Sequence, residues 1–165
     1  HRDHLFLGAS VSAFFRRPCF TPDGEFLLVP AGLSVAQPGA EPELCTQMAH
    51  RSDFSKPYAC IAGIDTPSLA VRACPSLFSM IDHKQADVQL LTEGRHRSIF
   101  AVLTTDTVYI HDTQHPNPLM KISNIHHANL NDCAWYDLVG LLRLNRRHSA
   151  HAITTVDRPH PGVCC

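Results

Sequence analysis

Short apolar runs separated by tight-turn residues recur along this chain of 165 residues, while helical periodicity is weak throughout. The clearest instance is "FFRRPCFTPDGEFLLVPAG", residues 14–32. Arg16–Thr21 and Glu25–Val29 read as two strands joined by Pro22-Asp23-Gly24. Proline presets the φ of such a turn, aspartate bonds the nearby backbone, and glycine supplies a positive φ. Phe26, Leu27, Leu28 and Val29 are an unbroken apolar run, which predicts a strand buried on both faces. A Gly-, Pro-, Ala- and Glu-containing loop follows at 33–44. Thr46–His50 and Lys56–Ile61 then read as two more short strands around a polar turn at Arg51–Ser55.

A second set of four repeats this plan. Leu69–Cys74 is its first strand, and a long polar insertion runs from about Ser79 to Gly94. Arg97–Leu103 is a strong strand candidate. After a turn at Thr104-Thr105-Asp106, "TVYIH" (Thr107–His111) alternates cleanly. Asp112–Pro118 is a turn and Leu119–Ile125 a fourth run. A third set opens at Leu130 with "LNDCAWYD". Two four-strand units of roughly 45–60 residues, with the start of a third, are the repeat signature of a propeller. The expected fold class is all-β, with about two blades and the start of a third.

The expected organisation is a lead-in over 1–13, one blade over 14–62, another over 66–126, and the start of the next over 127–136. After Trp135 the text changes character. "YDLVGLLRLNRRHSAHAITTVDRPHPGVCC" is rich in arginine, histidine and proline and ends on Cys164-Cys165, so 137–165 reads as a divergent tail. A frame change, a retained intron or an unusual splice end would account for it. The start at His1 reads as a fragment or a processed chain.

Composition excludes several classes. The formal charge of −1 gives no global basic field for non-specific nucleic-acid binding. No apolar run reaches membrane-span length, and no signal-peptide pattern is present. The seven cysteines are an odd number without a CxxC pair, and Cys19, Cys60, Cys74 and Cys133 lie in or beside apolar runs. Buried reduced thiols fit this better than a disulfide framework or a structural zinc site. His1/His4 and His148/His151 have helical metal spacing, but no carboxylate or cysteine partner stands at a recognisable offset. No metal and no cofactor are therefore expected. A phosphate-binding glycine loop and a G-x-S-x-G nucleophile turn are both lacking, which leaves an enzyme reading without support.

Several pieces resemble WD repeats. "FTPDGEFLL" (Phe20–Leu28) looks like the first hairpin of a blade. "TTDTVYIHDT" (Thr104–Thr113) looks like the third strand, with His111-Asp112 where Trp-Asp usually stands. "NIHHANLNDCAW" (Asn124–Trp135) looks like the histidine that opens a blade and the strand after it. In order, "FFRRPCFTPDGEFLLVPAG", "SKPYACI", "SLAVRACP", "IFAVLTTDTVYIHDTQHPNP" and "ISNIHHANLNDCAW" resemble the family of the WD-repeat, B-type subunit of chromatin assembly factor one, over about residues 5–136. The resemblance implies a WD40-type β-propeller. It further implies a nuclear, non-enzymatic histone chaperone that serves as a platform for the large subunit and for histones. Such complexes deposit new histones on replicated or repaired DNA. The family's C-terminal tail, which contacts a second histone chaperone of the anti-silencing type, is not in this sequence. The rival readings are a generic WD-repeat adaptor such as a ubiquitin-ligase substrate receptor, a metal-dependent enzyme using the histidines, and a truncated product with no function of its own.

The candidate partner-binding residues are Arg16 and Arg17, because a guanidinium grips carboxylates bidentately. The alternative is that they pair with carboxylates inside the propeller or lie on its rim. Asp23, Gly24, His111, Asp112, His126, Asp132 and Trp135 are candidate structural WD-repeat positions. His126 is expected to bond within its blade, with Asp132 as a candidate partner. Phe14, Phe15, Phe20, Phe26, Phe100 and Trp135 are expected in the inter-blade core. Arg143, Arg146, Arg147 and His148 form a short basic cluster that suits nucleic acid or a nuclear address.

Overall fold

The computed structural model describes residues 4–8, 16–34, 40–81, 91–92, 94–124, 129–136, 141–145 and 150–155. Among these residues there are strands, bridges and turns and no helix. Eleven strands form three antiparallel sheets. The first sheet holds β1 (Cys19–Phe20), β2 (Phe26–Ser34), β3 (Glu43–His50) and β4 (Ala59–Ile61) in chain order. The second holds β5 (Ala70–Ser79), β6 (His96–Leu103), β7 (Thr107–Asp112) and β8 (Met120–Ser123), also in chain order. The third pairs β9 (Asp132–Tyr136) with β10 (Leu141–Asn145) and β10 with β11 (Ala150–Thr155).

Neither four-stranded meander can bury both faces alone. They stack instead. One core cluster lies between the first and second sheets, from Phe26, Leu28, Met48 and Ile61 to Val71, Phe100, Val102 and Tyr109. A second lies between the second and third sheets, from Ile99, Ala101, Leu103, Val108 and Ile110 to Leu130 and Cys133. The middle sheet therefore faces a neighbour on both sides. Strand alternation sends Phe100 and Val102 one way and Ile99, Ala101 and Leu103 the other. Each fully buried large side chain of this kind contributes about 2–3 kcal/mol.

Two apolar runs thus differ in what they mean. "IFAVL" (Ile99–Leu103) is buried on both faces. "FLLV" (Phe26–Val29), expected to behave the same way, is not: Phe26 and Leu28 are buried, whereas Leu27 and Val29 are only partly covered. The first sheet has a neighbour on one side only among the described residues.

Strand bounds depart from expectation where bulges intervene. β2 runs on to Ser34, through residues read as a loop, because an irregularity between Val29 and Gly32 absorbs the mismatch in register. Ala31 takes a positive φ there, and its amide is held by Ser68 Oγ at 2.8 Å. Gly32 follows, close against β3. A Cβ at this position would sit 2.6 Å from Gln47 Cγ. β5 likewise extends past Cys74 to Ser79 through an irregularity between Ala73 and Leu77 that accommodates Pro75 on an edge strand. β1 is shorter than Arg16–Thr21, since Arg17 leaves the sheet to bridge Ala70 in parallel.

A further sequence expectation is corrected in the core. Phe20 is not core but 42% exposed, with the Arg51 guanidinium 4.8 Å above its ring. Strands β10 and β11 lie within the segment read as a divergent tail. "LLRLN" and "AHAITT" keep enough short-range β-forming pattern to pair with β9 and with each other, in a stretch whose arginines and histidines mask it. Phe14 and Phe15 lie outside the described residues.

Candidate functional site

The Pro22-Asp23-Gly24 turn is built as its residue types dictate. Gly24 has φ of 71°, and Asp23 Oδ1 accepts from the Glu25 amide at 3.0 Å and from Thr21 Oγ1 at 2.5 Å. Arg51 Nε donates to Gly24 O at 2.7 Å and ties this turn to the end of β3. The Thr104–Thr107 turn uses the same device, with Thr104 Oγ1 donating to Asp106 Oδ1 at 3.1 Å. These aspartates fix bends.

The two arginines singled out from sequence diverge. Arg16 donates to the Leu7 and Gly8 carbonyls at 2.7 and 2.9 Å. Arg17 reaches the third sheet, where Nη1 lies 3.1 Å from Asp132 Oδ2 and donates to Asn131 O at 2.8 Å. Arg72 of β5 takes the same carboxylate oxygen at 3.0 Å. One carboxylate on β9 thus holds β5 and the segment that leads into β1, tying the three sheets together. Trp135 supports this junction through Nε1–H, which donates to Arg72 O at 2.7 Å. Among the described residues Asp132 Oδ2 takes the two arginines, and Oδ1 accepts from the Cys133 amide at 2.9 Å. His126, its candidate partner by sequence, lies outside the described residues, as do Arg146, Arg147 and His148.

His111-Asp112 stands at the end of β7, wholly buried. His111 stacks on Phe100 with centroids 5.6 Å apart and planes 10° from parallel. Neither ring nitrogen has a hydrogen-bond partner among the described residues. Burial holds its pKa down at about 4, against a smaller opposing pull from Asp112. Asp112 is the opposite case. Oδ2 accepts from Arg97 Nη1 at 2.6 Å, and Oδ1 from the Gln114 and His115 amides at 3.2 and 2.8 Å. The His115 ring adds a further contact at 2.9 Å. A dipeptide read as an architectural mark is therefore one apolar stack and one buried ionic hub.

The five described cysteines are free. Burial pushes the thiols of Cys19, Cys74 and Cys133 up. Cys60 goes the other way: the hydrogen bond from the neighbouring Cys45 thiol holds it down at about 6, against its partial burial. At pH 7, iodoacetamide is expected to modify Cys60 ahead of the other four in the native protein, read by peptide mass spectrometry. Labelling of Cys74 or Cys133 first would contradict the packing.

One feature carries no sequence signature. A cleft of about 300 Å³ lies between the first and second sheets, lined by Asp23, Glu25, Phe26, His50 and Tyr58 on one side and by His96 and Ser98 on the other. Its residues are scattered over several segments, so no local motif announces it.

Successive four-stranded antiparallel meanders, stacked face to face through alternating apolar strands, define blades of a β-propeller. The CAF1B/HIR1 beta-propeller domain model matches residues 1–144, and the chain belongs to that family. It is 35% identical over 163 residues to the B-type chromatin assembly factor 1 subunit of Schizosaccharomyces pombe, covering 96% of this chain and 32% of the relative. It is 34% identical over 162 residues to the chromatin assembly factor 1 subunit FAS2 homolog of Oryza sativa subsp. japonica, covering 98% of this chain and 31% of the relative. Against the B-type chromatin assembly factor 1 subunit of Mus musculus the identity is 30% over 167 residues, covering 96% of this chain and 28% of the relative. The chain thus spans about a third of the length of these relatives.

Proposed function

We propose that this chain is part of a non-enzymatic scaffold and histone chaperone within a chromatin assembly complex. Its work is the deposition of new histones on DNA during replication and repair, in the nucleus. The observation that supports this most is the continuous similarity, over 96–98% of the chain, to proteins named as chromatin assembly factor 1 subunits. The structure is compatible with a platform role. Polar side chains are spent on holding turns and joining sheets, buried at Asp112 and part-exposed at Asp132. A rigid stack of blades offers side-chain anchors and charge complementarity across a fixed surface, which is what selective docking needs. The partners in this reading are the large subunit of the complex and histones, with a second histone chaperone contacting a C-terminal tail.

The test is purification from nuclear extract of an affinity-tagged full-length protein carrying this segment. Recovery of the large chromatin assembly subunit together with histones H3 and H4 is the expected result. Recovery of a ubiquitin-ligase core without either would overturn the reading in favour of a general WD-repeat adaptor.

A further inference from the structure

The cleft between the first two sheets has a composition that selects its occupant. Phe26, 7% exposed, is its fixed point. The Tyr58 ring lies 5.0 Å from Phe26 at 56°, and the His50 ring 5.3 Å away at 75°. Tyr58 is itself half exposed, so one part of its ring is packed and the rest is open to solvent. Beside these rings stand two carboxylates, Asp23 and Glu25. His50 Nδ1 accepts from the Ser52 amide at 3.2 Å and lies 2.7 Å from the Ser52 hydroxyl, while Nε2 faces Glu25 Oε1 at 3.6 Å. The described lining holds no lysine and no arginine. Arg51, next in the chain, is turned elsewhere: it is bonded to Gly24 O and stacked over Phe20. That stack shows how a cation sits on an aromatic face of this same sheet.

Aromatic faces attract a cation through their quadrupole, and an adjacent carboxylate adds a charged partner. Both walls come from complete four-stranded sheets, on the side where the β1–β2 and β5–β6 connections lie. We propose that this cleft binds a lysine or arginine side chain from an extended basic protein segment, with the cation on the Tyr58 ring and Glu25 as its carboxylate partner. The proposal stands on the cleft's own geometry. Its failure would leave the chromatin assembly reading untouched, because co-purification with the large subunit does not depend on this cleft.

The experiment is fluorescence anisotropy of the full chain with a labelled peptide of alternating glycine and lysine, and with its glycine–glutamate counterpart. The lysine peptide is expected to bind and the glutamate peptide not to. Tyr58→Leu keeps the apolar bulk but removes the π face, and is expected to weaken binding about five- to tenfold, whereas Tyr58→Phe stays near the parent. Glu25→Gln is expected to weaken it about threefold, an effect that fades as salt rises. Glu43→Gln is the control. Glu43 lies at the far end of β3 from His50, about 23 Å along the strand, and its substitution is expected to change nothing. Four outcomes overturn the proposal: no binding of the lysine peptide, equal binding of the glutamate peptide, unchanged binding by Tyr58→Leu, or an equal loss in Glu43→Gln. Circular dichroism confirms that each variant is folded, and the exposure of Tyr58 and Glu25 makes that the expected state.

Discussion

Asp112→Ala is expected to lower the unfolding free energy by about 3–5 kcal/mol, the usual cost of stranding one partner of a buried ion pair. Asp112 is wholly buried, and the Arg97 side chain is 9% exposed. Among the described residues, removing the carboxylate leaves that guanidinium with only the Ser79 carbonyl, at 3.1 Å from Nε. It also removes the oxygen that accepts from the Gln114 and His115 amides. Asp112→Asn is expected to cost less. An amide oxygen can still satisfy those two backbone donors, although its NH₂ group would face Arg97. Arg97→Met in the Asp112→Ala background is expected to recover part of the loss, since it removes the unpaired charge. Urea unfolding of the four proteins reads these differences. The junction at Asp132 is the contrast. Its side chain and both arginines are about a third exposed, so solvent screens the pair and Asp132→Ala is expected to cost about 1 kcal/mol or less. Equal losses at the two aspartates would mean that burial is not what sets the strength of these pairs.

That contrast shows where sequence reading stops. Both aspartates sit in WD-like motifs, and composition treats them alike. The turn residues were legible because their requirements are local: Pro22-Asp23-Gly24 needs a positive φ and an Asx bond, and the structure contains both. The four-strand repeat was legible for a related reason, since alternation and turn spacing are short-range patterns. Other features depend on residues far apart in the chain. Arg17 meets Asp132 from the opposite end of the described blades, and nothing near either residue states this. Phe20 reads as core by hydrophobicity, yet the short β1 turns its ring outward beneath Arg51. β10 and β11 hid behind a composition rich in arginine and histidine, because a strand's pairing depends on its neighbour more than on its own residues. The Tyr58 cleft draws on turns and strand ends of two sheets, so only their stacking assembles it.

Acid should weaken this fold through His111 before it reaches the carboxylates. An unfolded histidine titrates near its ordinary 6.5, whereas His111 in the folded chain is held down at about 4. Above pH 6.5 both states are neutral at this position, and stability is unaffected by it. Between pH 6.5 and about 4 the unfolded chain takes up a proton that the folded chain refuses, so stability falls as pH falls. The total loss from this residue is about 3 kcal/mol, using about 1.4 kcal/mol for each unit of displacement. Below about pH 4 both states are charged there and the contribution levels off. His111→Phe is expected to remove this slope, because a phenyl ring can keep the stack on Phe100 and has no proton to gain. The variant should also gain some stability at neutral pH, since two buried nitrogens without described partners disappear with the imidazole. The measurement is the difference in unfolding free energy between parent and variant from about pH 7.5 to about pH 4.5. A gap that widens steadily below pH 6.5 is the expected result. A constant gap would show that His111 finds a proton partner on charging, and that its ring is not sealed from water as the stack implies.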